Sequence, residues 1–213
     1  MKEHPFSSRR IVAAALLFVI AGLAASTASA TGRYAPVQPC PAYSMGQPFL
    51  PWLDPGSYFL APGGSFEGGT SGWTFKGGAS IVSGNESYHV NGASDSRSLA
   101  LPSGSSATSS LVCVTLLSPD ARVFIRNTGS LLSLLRVDLN YTDANGRSQT
   151  ATVGLLAGGS SWSLSLPVLF LLDSIKPIVG SGGQTWVSFT FAPTGSAGKW
   201  QIDDFYVDPL KNH

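Results

Sequence analysis

The sequence predicts an all-β sandwich of two antiparallel sheets, on three observations. Apolar and polar residues alternate in short stretches, and Gly, Ser and Asn break these stretches at close intervals. The folded part also opens and closes on carboxylates set in aromatic sequence. Gly64-Ser65-Phe66-Glu67 with Trp73 opens it, and Trp200-Gln201-Ile202-Asp203-Asp204-Phe205-Tyr206-Val207-Asp208 closes it. An ionised group beside a core is costly unless something pairs it. Two such sites, one per end, predict first and last strands lying side by side around a cation.

From the N-terminus, Lys2, Arg9 and Arg10 precede an apolar run over 11–25, and Ala28-Ser29-Ala30 supplies small residues for cleavage. This predicts a signal peptide over 1–30 and a secreted, extracellular product, by either the general or the twin-arginine route. The alternative is an N-terminal membrane anchor, for which the run falls short of the ~18 residues a span needs. Removing three basic residues and one acidic one from totals of 13 and 12 leaves the remainder close to neutral. With no basic stripe, nucleic acid and anionic membrane are not expected partners.

Residues 31–62 hold seven of the 14 prolines, so regular helix or central strand is not expected there. Tyr43, Phe49, Leu50, Trp52, Tyr58, Phe59 and Leu60 make the stretch too apolar for a free linker. It reads as an extended segment packed on a domain spanning 63–213. Cys40 and Cys113 are the two cysteines. An even count in an exported chain points to one disulfide, with a pair of free buried thiols as the alternative. Closing so long a loop contributes about 4 kcal/mol by chain entropy.

Within the domain, Leu135, Val137, Leu139 and Tyr141 alternate with Arg136, Asp138, Asn140 and Thr142, the period of a half-buried strand. Asn145-Gly146 turns the chain, and Ala151, Val153 and Leu155 alternate with Thr150, Thr152 and Gly154, which completes a hairpin. Val187, Phe189 and Phe191 alternate with Trp186, Ser188 and Thr190 in a third clear strand. Weaker strands are expected at Phe66, 73–76, 80–82, 88–90, 98–101, 111–114 and 122–126. The apolar stretch 164–179 contains Pro167, Asp173, Lys176 and Pro177, which argue against a membrane span and for a buried strand and loop.

The closing strand breaks parity. Trp200 and Ile202 share one face, whereas Phe205 and Val207 fall on the other. Both pairs can be buried only if a residue is inserted between them, which predicts a β-bulge at Asp203-Asp204. A bulge frees backbone carbonyls and re-aims side chains, which suits a hard cation with six to eight oxygen ligands. The alternative is an exposed acidic kink.

Phe66-Glu67, Trp73 and Ile202-Asp203-Asp204-Phe205 resemble the terminal motifs of jelly-roll carbohydrate-binding modules, sandwiches of the galactose-binding-like kind. The resemblance implies a structural calcium held by Glu67 and Asp203, with Asp204 and backbone carbonyls as further ligands. It covers 64–208 in outline and is specific only at the two ends. The whole chain, including Gly78-Ala79-Ser80 and Gly84-Asn85-Glu86, resembles secreted actinobacterial proteins, a likeness that carries no activity with it.

Catalytic signals are sparse. His89 is the one histidine within the domain body, and no serine sits in a Gly-x-Ser-x-Gly elbow. Glu67 and Asp203 could be drawn as a glycosidase pair but are better explained as metal ligands. No catalytic residue is therefore assigned. For sugar recognition, Trp186 is an expected outward stacking platform, with Arg136, Asp138, Asn140 and Tyr206 as polar partners. Against this stand a Trp186 covered by the N-terminal segment and a polar row that is merely solvated. Three functions remain: a monomeric, non-catalytic glycan-binding module with calcium and a disulfide; a secreted structural or surface-associated sandwich that binds protein; and a small polysaccharide hydrolase or lyase.

Overall fold

The computed structural model describes residues 40–70, 72–115, 120–143, 146–170 and 184–209. The expected signal peptide, residues 31–39 of the Pro-rich segment, Asn145, and 171–179 of the apolar stretch lie outside the described residues. The described strands are β1 (Phe59–Leu60), β2 (Thr74–Lys76), β3 (Ser80–Ser83), β4 (Arg97–Leu101), β5 (Ser106–Thr108), β6 (Val112–Thr115), β7 (Asp120–Asn127), β8 (Leu135–Thr142), β9 (Ser148–Leu156), β10 (Ser163–Leu164), β11 (Val168–Leu169), β12 (Gln184–Pro193) and β13 (Trp200–Asp208).

They form two antiparallel sheets, the jelly-roll sandwich expected from the sequence. One sheet runs β10-β7-β13-β4-β3, with β1 on β13 and β11 on β7. The other runs β2-β5-β12-β8-β9, with β6 beside β5 on β12. The alternation read in β8, β12 and β13 explains why the sheets face each other. Leu99, Val123, Ile125 and Ile202 from the first sheet meet Val137, Leu139, Phe189 and Phe191 from the second in one buried cluster. Among the described residues no helix is long and apolar enough to cross a membrane.

The parity break in β13 is present as a bulge. Asp203 pairs with Phe124 and Tyr206 with Arg122, so Asp204 and Phe205 together oppose Val123. Asp204 takes a left-handed φ of 45°, and this rotation returns Phe205 and Val207 to the core. The opening signature lies against the bulge. Ala61 donates its amide to the Phe205 carbonyl at 2.9 Å, and the Phe205 amide donates to the Gly64 carbonyl at 3.1 Å.

Two expected strands are turns instead. Phe66 has a φ of 61° and His89 a φ of 52°, in the left-handed region that a strand excludes. At 88–90 the Glu86 carboxylate also takes the Tyr88 and Val90 amides that a ladder would need. Sequence periodicity does not report β1 or β5, which are two and three residues long.

Residues 40–62 join both sheets. Cys40 is bonded to Cys113 of β6, its amide donates to Gln184 Oε1 at 3.1 Å, and Tyr43 stacks on Phe59 with centroids 3.6 Å apart. Beyond a 3-10 turn at Leu50–Trp52, Phe49 and Tyr58 bury against Phe124, Trp162 and Tyr206 as a second core on the outer face of the first sheet. Arg122 fixes this arrangement: it pairs with the Asp54 carboxylate, donates to the Ser165 carbonyl, and lies over the Phe49 ring.

Candidate functional site

The outer face of the second sheet carries most of the residues expected to bind sugar. Register places Thr108, Thr190, Asp138 and Thr152 on one rung across β5, β12, β8 and β9, with Ser188, Asn140 and Thr150 on the next. Hydrogen bonds link the two rungs. The Thr108 and Thr190 hydroxyls share a bond of 2.8 Å, Asn140 Nδ2 donates to Thr190 Oγ1 at 2.9 Å, and Thr150 Oγ1 donates to Asn140 Oδ1 at 2.9 Å. Beside them Arg136 Nε and Thr152 Oγ1 each donate to the Asp138 carboxylate, at 2.9 and 2.7 Å. Arg136, Thr150 and Thr152 are exposed, and Thr108, Asn140 and Thr190 are half-buried.

Trp186 shares this face, two residues along β12 from Ser188. It is half-buried and stands opposite Cys113, beside the disulfide. Tyr206 does not join the row. It belongs to the other sheet, buried in the second core with Phe49 and Phe124, and that burial raises its phenol above the ordinary range. No sequence signal separates it from an outward tyrosine, because the segment that covers it lies about 150 residues away in the chain.

The second constellation gathers at the bulge. Asp203, Asp204 and Glu86 are fully buried, and each accepts backbone amides of the segment 84–97. Asp203 Oδ2 accepts from Glu86 at 2.9 Å and Asp204 Oδ2 from Asn91 at 3.1 Å. Glu86 itself accepts from Tyr88 and, at 2.6 Å, from Val90. Glu67 Oε1 takes the amides of Ser96 at 2.7 Å and Arg97 at 2.6 Å.

So much negative charge in so little water is unfavourable. Desolvation raises Asp203 to about 9; the Glu86 amide opposes the shift, and the Asp204 and Glu86 charges add to it. Desolvation likewise raises Asp204 to about 7, opposed by the Asn91 amide and reinforced by Glu86, Asp95 and Glu67. The expected ligands Glu67, Asp203 and Asp204 thus all accept amides of the same segment, 84–97. Among the described residues they do not converge as a ready-made shell of three side chains. The donors still suit a hard cation. All are carboxylate oxygens, and Asp204 Oδ1 is buried with no hydrogen-bond partner. Glu67 is the poorest fit, since both its oxygens are engaged by Ser96 or Arg97.

Glu86 and Asn91 were not among the expected site residues. Gly84-Asn85-Glu86 reads as a polar turn, and only the fold brings it under β13. His89, the histidine considered for catalysis, sits exposed on the same segment.

No family model and no curated protein matches the chain. Among solved structures it is similar to the C-terminal family 22 carbohydrate binding module of Clostridium thermocellum Xyn10B, at 17% identity and a TM-score of 0.46, over 70% of this chain and 93% of that one. The xylan-binding domain CBM22-1 of Paenibacillus barcinonensis Xyn10C is similar at 16% identity and a TM-score of 0.45, over 68% and 89%. TmCBM61, solved in complex with β-1,4-galactotriose, gives 17% and 0.42, over 70% and 96%.

Proposed function

We propose that this chain is an exported, monomeric, non-catalytic glycan-binding module that takes its ligand on the outer face of the second sheet. One observation carries the reading: the Thr108-Thr190-Asn140-Thr150 relay spans four strands beside the Arg136-Asp138-Thr152 cluster. Donors and acceptors alternate there on side chains that partly face solvent, the arrangement that exchanges hydrogen bonds with a polyhydroxylated ligand. Trp186 would supply the apolar edge of the site.

A non-catalytic role is supported by what the acids are already doing. Glu86 spends both oxygens on backbone amides, and Asp138 is held between Arg136 and Thr152. Export, with a signal peptide over 1–30 ahead of a domain at 63–213, is supported by the Cys40–Cys113 disulfide. Calcium at the bulge completes the reading. Asp203 and Asp204 would hold it with backbone carbonyls, and Glu67 would share in the shell. Bound there, it would neutralise the buried carboxylates and keep them ionised.

Retention on insoluble polysaccharides and binding across a broad glycan panel, with calcium present, test the function. We expect binding that Asn140→Ala and Trp186→Ala each weaken at least about tenfold, the loss of one or two good contacts. Absence of binding by folded protein across the panel would overturn it. Turnover of a polysaccharide would favour a hydrolase or lyase in its place.

A further inference from the structure

The outer face of the first sheet is covered unevenly. The second core seals it around Phe124 and Tyr206, but one rung stays accessible. Register aligns Ser80, Ala100, Gln201 and Arg126 across β3, β4, β13 and β7. Their neighbours Leu99, Ile125 and Ile202 point into the main core, so by alternation this rung faces outward. Ser80 is exposed there, and Ala100, Gln201 and Arg126 are half-buried. A groove of about 210 Å³ opens over the rung, lined by Ser80, Ala100 and Gln201 together with Gly78, Thr128 and Lys199.

The charge at this groove is of one sign. Among the described residues the two ion pairs are Arg122–Asp54 and Arg136–Asp138, which leaves Lys199 and Arg126 without a carboxylate. Lys199 is exposed. Arg126 is held in place instead: its Nε donates to Gln201 Oε1, and its guanidinium carbon lies 4.9 Å from the centroid of the Trp162 ring. That bond uses Nε alone, so the two terminal nitrogens keep their donors. With its oxygen accepting, Gln201 has its amide nitrogen free to donate as well. The nearest acid along β13, Asp203, is fully buried and accepts the amides of Glu86 and Asp204.

We propose that this groove is a second binding site, which takes the carboxylate or sulfate group of an acidic sugar. It is independent of the second-sheet site, which lies on the other outer face and carries the Asp138 carboxylate. An ammonium, a guanidinium fork and an amide nitrogen are donors only, and they match a group that only accepts. A bond from a charged donor to an anion is roughly twice as strong as a neutral one. Because Gln201 and Trp162 already immobilise Arg126, little side-chain freedom is lost when the anion binds. The floor is small, Ala100 and Gly78, so a ring can approach the sheet. The volume is below the roughly 300–1,000 Å³ of a pocket for a drug-sized ligand, which suits one acidic residue of a chain.

Calorimetric titration of the full chain with oligogalacturonate and with dextran sulfate tests the site. We expect at least one to bind, and which one does distinguishes carboxylate from sulfate. Lys199→Ala and Ala100→Leu should each weaken that binding about tenfold, by loss of a charged contact and by filling of the floor. Arg147→Gln, which removes an exposed cation from the β8–β9 turn, should leave it unchanged. Lys199 is exposed, so its variant decides the matter even if Ala100→Leu disturbs the fold. Absence of binding by both anions would overturn the site. So would binding that Lys199→Ala leaves intact, or that Arg147→Gln weakens equally. Neutral glycans report separately on the second sheet, so either reading can fail alone.

Discussion

The Phe205 carbonyl and the Gly64 backbone approach so closely that a methyl group on Gly64 would stand 2.8 Å from that oxygen and 2.9 Å from the carbonyl of Ala61. This is where the opening and closing signatures meet. Gly64 accepts the Phe205 amide while Phe205 accepts the Ala61 amide. The two ends of the fold are therefore joined by backbone through a gap that only glycine leaves open.

Gly64→Ala should accordingly destabilise the protein by about 1–3 kcal/mol, the range for forcing an extra methyl into a packed site. Gly68→Ala is the control, because nothing lies within 4 Å of its added carbon. Chemical denaturation of the two variants checks this. Equal midpoints would mean that the bulge yields freely.

Removal of the disulfide should cost less than the fold. Cys40 and Cys113 are 73 residues apart in sequence, a loop worth about 4 kcal/mol, or on the order of 10 °C in Tm. Yet the Cys113 amide also donates to the Tyr43 hydroxyl at 2.8 Å, and Tyr43 stacks on Phe59. Cys40→Ser/Cys113→Ser should therefore melt earlier but stay folded at 25 °C, which circular dichroism would register.

Much of the sandwich was legible because its signals are local. Val137, Leu139, Val187, Phe189 and Phe191 declare their faces by parity, and Ile202 and Phe205 betray the bulge because both must be buried. The face of Arg136, Asp138 and Asn140 followed from the same alternation. Tyr206 misled because parity gives a direction, not what lies in that direction; Phe49 and Tyr58 arrive from far away in sequence. Glu86 was illegible as a structural residue for a related reason. Its carboxylate serves amides two and four residues ahead, and its own amide is held by an aspartate 117 residues away. Such pairings leave no period in the chain.

Arg122 is buried where an uncompensated charge would be costly, and it has several partners. Beyond Asp54 and the Phe49 ring, its Nε and Nη2 reach the Ser165 carbonyl at 3.2 and 2.7 Å. Burial alone would raise Asp54, but bonds from Gly56, Arg122 and Tyr58 outweigh it and hold that carboxylate below its ordinary value. Arg122→Met should cost about 3 kcal/mol by stranding Asp54. Pairing it with Asp54→Asn should recover part of the loss. Additive effects in that double-mutant cycle would show the pair to be uncoupled.

The bulge predicts an unusual pH dependence for the metal-free protein. Most folds gain stability as carboxylates ionise, but Asp203 and Asp204 are raised to about 9 and about 7 from an ordinary 3.8. A group raised on folding contributes stability that is full below its unfolded value and is lost as pH rises through its folded one. In chelator, Tm should therefore fall between pH 5 and pH 9, steeply while both acids are protonated only in the fold and more gently once Asp204 has ionised at about 7, until Asp203 does so at about 9. Asp203→Asn should flatten the alkaline half of that slope, since the amide oxygen still accepts a bond and carries no charge. Calcium should flatten the whole of it by stabilising the ionised forms, with the largest gain in Tm at the alkaline end. A Tm in chelator that rises steadily to pH 9 would mean that these carboxylates are ionised in the fold without help, and that the amides of loop 84–97 suffice to hold them.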